Sequence, residues 1–474
     1  MINNAKAIPS EEHRNTTLAW LGGSLAVALL VRLALWLNYS AVAFSDTASY
    51  RRSASSILNY FAHYDGTRTP GYPAFLALVG EDSNVWLIQM ILGVLISLIL
   101  FYLGWQLSGR GWFAALLSLA HTLNLGQLFF EAHLLTETLT TFYLAVTLLA
   151  VSLLLRQKAR FQWGLALSAS LAGSLALLTR PLFVFLPVWV GVFTTWVLSN
   201  STFLNRGLRW RTGFARLAVF AMPVLLLVGG WVLFIHQRFG DLGLTTMTGY
   251  HLVQNTGDYF EYVPDEYAEL RDTYIQYRDA KIAASGNQTN TIWDAIPEMS
   301  RVSGLNFYQL SHTLARISVR LILEHPELFL ANVIEGWWLF WIAPVYWSPA
   351  AIQSPGLVGI ISGLVIAQRV ILVTTNIVFV AGSLLWALVS ILPSKIIERL
   401  PGLFCHLRLA SQSGDNTKRL FLLFTASTIW FASILQCLLD HGDNPRFLVP
   451  LQSFVVLWVA WFILQLVRLE KVKH

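Results

Sequence analysis

Asp46 stands in a short polar stretch, Phe44-Ser45-Asp46-Thr47-Ala48-Ser49-Tyr50, directly after an apolar run long enough to span a bilayer. Before the next apolar run comes Thr67-Arg68-Thr69-Pro70-Gly71-Tyr72-Pro73. A carboxylate held at a membrane edge is costly and usually functional. Such a group can take the proton from a hydroxyl nucleophile. It can equally cap a helix beginning near Thr47, which Asp does well. Glu137 opens another apolar run, where an acid is favoured by the helix dipole, yet its depth makes an unpaired charge expensive.

Three arginines accompany these acids. Arg68, Arg180 and Arg446 each lie next to a Pro or in a Pro-containing turn. A guanidinium fork binds phosphate oxygens bidentately, and a single arginine at a membrane edge also snorkels towards headgroups. Tyr50, Tyr72, His63, Glu131 and His133 fall in the same loops and complete the candidate substrate-binding set. Glu131, His133 and Glu137 are spaced i, i+2, i+6, which does not place all three on one helical face. No metal and no cofactor are expected. Arg32 falls inside the first apolar run, where it must pair with another buried polar group or snorkel outward.

The elements that carry these residues are membrane spans. The chain of 474 residues is 55% hydrophobic and only 12% charged, against about 25% charged in a soluble protein. Its mean hydropathy is +0.56. With roughly 20 apolar residues per crossing, about ten crossings are expected near 18–39, 85–105, 112–130, 134–155, 163–178, 182–198, 217–236, 364–392, 420–439 and 447–467. The fold class is therefore all-α and polytopic. Met1 to Thr17 is polar, and no cleavable leader is expected. Two cysteines, Cys405 and Cys437, suggest neither a disulfide nor a thiolate metal site.

Basic residues set the orientation. Arg156, Lys158 and Arg160 share one short loop, and Arg206, Arg209, Arg211 and Arg216 share another. Lys395, Arg399, Arg408, Lys418 and Arg419 fall in a third, and Arg468, Lys471 and Lys473 in the tail. All lie on one side if both termini are cytoplasmic. The acids and arginines above then gather on the exported face, including Asp443 in the last loop. The net charge of +6 thus reads as an orientation signal rather than nucleic-acid binding. Three regions follow: a transmembrane core at 1–236 with its first exported loop at 40–84, an exported soluble segment at 237–327, and a C-terminal membrane region at 328–474. The aromatic segment 328–347 is expected as an interfacial helix, because an eleventh crossing there breaks the charge pattern.

Several of these stretches, in order, resemble the GT-C superfamily of membrane glycosyltransferases, in particular its bacterial branch related to protein O-mannosyltransferases and aminoarabinose transferases. The likeness is carried by Asp46 with Tyr50 four residues on, by Arg68-Thr69-Pro70-Gly71-Tyr72-Pro73, and by the second-loop acid Glu137. Thr179-Arg180-Pro181, Gln237-Arg238-Phe239-Gly240, Glu324-His325-Pro326 and Asn444-Pro445-Arg446-Phe447-Leu448-Val449-Pro450 continue it. Many members carry paired acids in the first loop, whereas here Thr47 follows Asp46. The resemblance implies an inverting transferase in a bacterial inner membrane. Its donor would be a polyprenyl-phosphate sugar, and its acceptor a hydroxyl of a lipid, glycan or protein. Asp46 would be the base, with Glu137 beside it, and Arg68, Arg180 and Arg446 would hold the donor phosphate. A polymerase or ligase acting on a polyprenyl-diphosphate-linked glycan would use the same face and some of the same arginines. A flippase would place polar groups at mid-membrane and break helices in both halves, which this chain does not suggest.

Overall fold

The computed structural model describes residues 11–156, 162–200, 206–391, 416–442 and 444–470. Cys405, Asp443 and the loop residues Lys158, Arg160, Lys395, Arg399, Arg408, Lys471 and Lys473 lie outside them. Among the described residues the fold is all-helical, with one isolated bridge between Val42 and His133 in place of any sheet. The chain is a polytopic membrane protein.

The first half runs α1 (Glu11–Asn38), α2 (Ser45–Leu58), α3 (Gly71–Val79), α4 (Asp82–Ser108), α5 (Gly111–Thr122), α6 (Leu125–Ala132), α7 (Glu137–Arg156), α8 (Trp163–Thr179) and α9 (Leu186–Asn200). Next come α10 (Arg206–Pro223) and α11 (Gly230–Phe239), joined through a π-helical turn at Val224–Gly229. The segment that follows holds α12 (Thr248–Thr256), α13 (Ala268–Ser285), α14 (Thr291–Ser303) and α15 (Phe307–Glu324). The chain ends with α16 (Pro326–Phe340), α17 (Pro355–Ile391), α18 (Asn416–Leu439) and α19 (Val449–Glu470).

Seven helices among the described residues are long and apolar enough to cross a membrane, or eight if the bent pair α5–α6 counts as one span. The two other expected crossings are the shorter apolar helices Trp163–Thr179 and Pro181–Val197, which fall just short of the roughly 20 residues that a hydrocarbon core demands. The pair α5–α6 bends by 51°. A break in an apolar setting frees backbone groups that must find partners. Gln368 of α17 supplies them, accepting from the Leu125 N–H (2.6 Å) and donating to the Leu123 carbonyl (2.9 Å).

The two largest apolar cores among the described residues lie in different parts of the chain. The larger is built from α4, α5, α7 to α10 and α16 to α19, with Phe113, Phe183, Phe379 and Trp458 among its buried rings. The smaller is confined to the segment from Met247 to Leu321, around Tyr250, Phe260, Tyr274 and Leu314. The aromatic segment after Pro326 does more than anchor at an interface. Phe340 and Trp341 are buried in the larger core, and Trp337 stacks on Trp430 at 5.7 Å, while Trp338 faces outward. Within membranes such close packing holds helices together, since lipid is as apolar as the side chains.

Candidate active site

Two backbone devices bring the starts of α2 and α7 side by side. The Val42 N–H donates to the Ala132 carbonyl (2.9 Å), and the Leu134 N–H to the Val42 carbonyl (3.0 Å). Thr47 then fastens the turn. Its hydroxyl accepts from the Phe44 N–H (2.9 Å) and donates to the Leu134 carbonyl (3.1 Å). The helix begins at Ser45, with Phe44 at the cap position. The alternative reading of Asp46 as the cap is not what the structure shows: Asp46 sits inside the first turn, and its carboxylate is directed to side chains instead.

Those side chains are arginines. Asp46 Oδ1 accepts from Arg68 Nη2 (2.7 Å) and Oδ2 from Arg446 Nη1 (2.8 Å). Arg446 Nε donates onward to Glu137 Oε1, and the same oxygen lies 3.3 Å from Arg180 Nη1. The order along the cluster is Arg68, Asp46, Arg446, Glu137, Arg180. Among the described residues, three arginines meet two carboxylates in these ion pairs. Asp46, Arg68 and Arg446 keep side-chain exposures of 29%, 21% and 16%, whereas Glu137 is fully buried. The cluster is thus open at the Asp46 end. Burial pushes the Asp46 carboxyl up, but the charges of Arg68 and Arg446 outweigh it and hold the group at about 2.

Neighbouring residues aim the arginines. Arg68 Nε donates to Ser49 Oγ (2.8 Å), and the guanidinium lies over the Tyr50 ring at 4.6 Å. The Tyr64 hydroxyl donates to the Arg68 carbonyl, and the Tyr64 ring packs against Trp231 and Phe239. Arg180 lies over the Phe447 ring at 4.2 Å. A close approach brings the Arg68 turn to the end of α8: a Cβ at Gly71 would meet the Leu178 carbonyl oxygen and the Thr179 nitrogen at 2.6 Å each. Ser49, Tyr64 and Phe447 were not anticipated as site residues. Ser49 was legible in principle, because Asp46, Ser49 and Tyr50 share one face of a helix at i, i+3 and i+4.

The remaining candidates divide. Tyr50 belongs to the cluster through Arg68. Tyr72 is fully buried, and its hydroxyl donates to Gln89 Oε1 (3.2 Å). Gln89 in turn donates to the carbonyls of Glu131 (2.9 Å) and His133 (2.8 Å). Glu131 turns away from the cluster and forms a two-bond fork with Arg32, at 2.9 and 2.6 Å. That pair is nearly sealed, and Gly93 leaves it room, since a Cβ there would lie 1.9 Å from Glu131 Oε1. Arg32 therefore pairs rather than snorkels. His133 is buried between the rings of Phe44 (4.6 Å) and Phe130 (5.1 Å), and neither ring nitrogen has a hydrogen-bond partner among the described residues. Burial drives its imidazole down to about 3, so the ring is neutral at pH 7. His63 is exposed in the turn after α2 with φ 57°, and it joins none of the cluster's hydrogen bonds or ion pairs among the described residues. Glu131, His133 and Glu137 do not converge as a ligand set: Glu131 faces Arg32, and Glu137 faces Arg446 and Arg180.

No family model matches the chain, and no curated protein matches it. One solved structure is similar, the crystal structure of ArnT from Cupriavidus metallidurans bound to undecaprenyl phosphate. The identity is 14%, the TM-score is 0.35, and the match covers 94% of this chain and 78% of that one. A likeness of that size carries no argument about chemistry, which rests on the cluster itself.

Proposed function

We propose that the chain is an inverting glycosyltransferase acting at a membrane face, with a polyprenyl-phosphate sugar as donor and a hydroxyl as acceptor. The observation that carries this reading is the half-open cluster in which two arginines from opposite ends of the chain meet at Asp46. Two guanidinium forks side by side at a membrane edge suit a lipid-linked phosphate.

In the proposed reaction the acceptor O–H gives its proton to Asp46 as its oxygen attacks the anomeric carbon. The bond from that carbon to the phosphate oxygen breaks, and the configuration inverts. Polyprenyl phosphate departs with the electron pair. Phosphate leaves without needing a proton, so the second carboxylic acid of glycosidases is not required. Arg68 and Arg446 stabilise the charge developing on the leaving group. Glu137 acts through Arg446 and Arg180, as the anion that keeps both in place. The acceptor class remains a lipid, a glycan or a protein. The exported, extracytoplasmic face of a bacterial inner membrane suits the charge pattern of the loops.

The test uses purified protein in lipid nanodiscs with a panel of polyprenyl-phosphate monosaccharides. Release of polyprenyl phosphate is measured with and without a crude membrane extract as acceptor, for the wild type and Asp46→Asn. Acceptor-dependent release that disappears in the variant is the expected result. No release from any donor, together with binding of a diphosphate-linked glycan, would transfer the reading to a polymerase, ligase or flippase.

A further inference from the structure

The resting cluster suits neither of the roles just proposed for it. Asp46 has both carboxylate oxygens engaged by cations, Oδ1 by Arg68 and Oδ2 by Arg446. Each oxygen keeps a second lone pair, but two guanidinium charges in direct contact make the group a poor base for an acceptor proton. The same contacts occupy one Nη of each arginine, the pair of ends that faces the open side of the cluster.

The two arginines share one further feature. Each is anchored at Nε by a residue other than Asp46. Arg68 Nε is held by Ser49 Oγ, with the Tyr50 ring beneath the guanidinium, and Arg446 Nε is held by Glu137 Oε1. Only Arg68 Nη2 and Arg446 Nη1 turn to Asp46. These ends can exchange one anion for another while both guanidinium planes stay where they are. Side-chain exposures of 16% to 29% leave them within reach of an entering group.

We infer that Asp46 is the resting occupant of the phosphate site: a lipid-linked phosphate displaces its carboxylate from the Nη ends of Arg68 and Arg446, and only then is Asp46 free to accept a proton. The inference rests on the phosphate reading above. The donor's phosphodiester matches a carboxylate in charge and in free oxygens, and its lipid tail holds it at the membrane edge at high local concentration, so it competes for both forks. The phosphate monoester released by transfer carries more charge still. Once displaced, Asp46 keeps its partly buried setting, loses its compensating cations and gains an anionic neighbour. Both changes, in that partly buried setting, raise its affinity for a proton. The base is thereby switched on by the donor, and an unloaded protein holds it inert.

Competition between the two anions is reciprocal, and this yields a counter-intuitive test. Equilibrium binding of undecaprenyl phosphate is measured in nanodiscs for the wild type, Asp46→Asn, Asp46→Ala and Arg446→Ala. Both Asp46 variants are expected to bind about tenfold more tightly than wild type, although neither supports transfer, and Arg446→Ala is expected to bind more weakly. Unchanged or weaker binding by monodisperse Asp46 variants overturns the lock and leaves the phosphate reading standing. Absence of binding by the wild type and every variant overturns the phosphate reading and the lock together. Infrared difference spectra of the wild type need no variant. A change in a salt-bridged carboxylate band on adding saturating undecaprenyl phosphate is expected, and an unchanged carboxylate region overturns the lock.

Discussion

Asp46 and Arg446 are 400 residues apart in the chain, and their side chains meet at 2.8 Å. Asp46 is carried by the first turn of α2, and Arg446 by the 3₁₀ turn Asn444–Leu448 that leads into α19. One contact thus ties the first loop to the start of the last span. It also ties a proposed base to a proposed phosphate ligand.

If Asp46 is the base, Asp46→Asn keeps the shape of the side chain and removes its ability to take a proton. Transfer from a polyprenyl-phosphate sugar should fall by about 10²- to 10⁴-fold, measured as acceptor-dependent release of polyprenyl phosphate. Near wild-type turnover would reject the assignment.

Glu137→Gln removes the anion between Arg446 and Arg180. Glu137 is fully buried, and breaking a buried ion pair from one side costs roughly 3–5 kcal/mol. A clear drop in the thermal melting temperature in detergent is expected, together with weaker binding of undecaprenyl phosphate as Arg446 loses its anchor. Unchanged melting would show that Glu137 does not hold the cluster.

Arg32 and Glu131 make a different prediction. Their fork is sealed and faces away from Asp46, so its role is to hold α1 and α6 together. Arg32→Met should lower the melting temperature and leave the affinity for undecaprenyl phosphate unchanged. The double variant Arg32→Met with Glu131→Leu should recover much of the loss, because a buried pair can be replaced by apolar side chains at little cost. Loss of affinity in a well-folded single variant would return Glu131 to the binding site.

The Asp46 pairs also make stability depend on pH. The carboxyl is held at about 2, below its ordinary 3.8. A group depressed in the folded state adds stability above its unfolded value and loses it as pH falls towards the folded one. The melting-temperature gap between wild type and Asp46→Asn should therefore be steady from about pH 7 to 5 and narrow below about pH 4. A gap that stayed constant into acid would mean that Asp46 is not ion-paired in solution.

The helical frame was largely legible in the sequence. Runs of apolar residues mark spans because each crossing must satisfy its own backbone and bury its own length, which is a local requirement. The break at Leu123–Asn124 was not legible, because the group that makes it tolerable is Gln368, far along the chain. The aromatic segment reads as interfacial from its sequence, yet its role in the core depends on Trp430 and Phe379 arriving from other helices.

For the site, the sequence alone determined which groups are available: two acids and three arginines at the ends of apolar runs, where charge is too expensive to be idle. Which acid pairs with which arginine was decided by tertiary structure. Glu131 and Glu137 are six positions apart, yet one faces Arg32 and the other Arg446 and Arg180. Likewise Tyr50 lies beneath Arg68, while Tyr72 gives its hydroxyl to Gln89. Hydrophobic pattern is local and repeats along each helix, whereas an ion pair depends on which helix ends meet. That meeting is set by the Val42–His133 bridge and by the close approach at Gly71, and neither leaves a periodic trace in the chain.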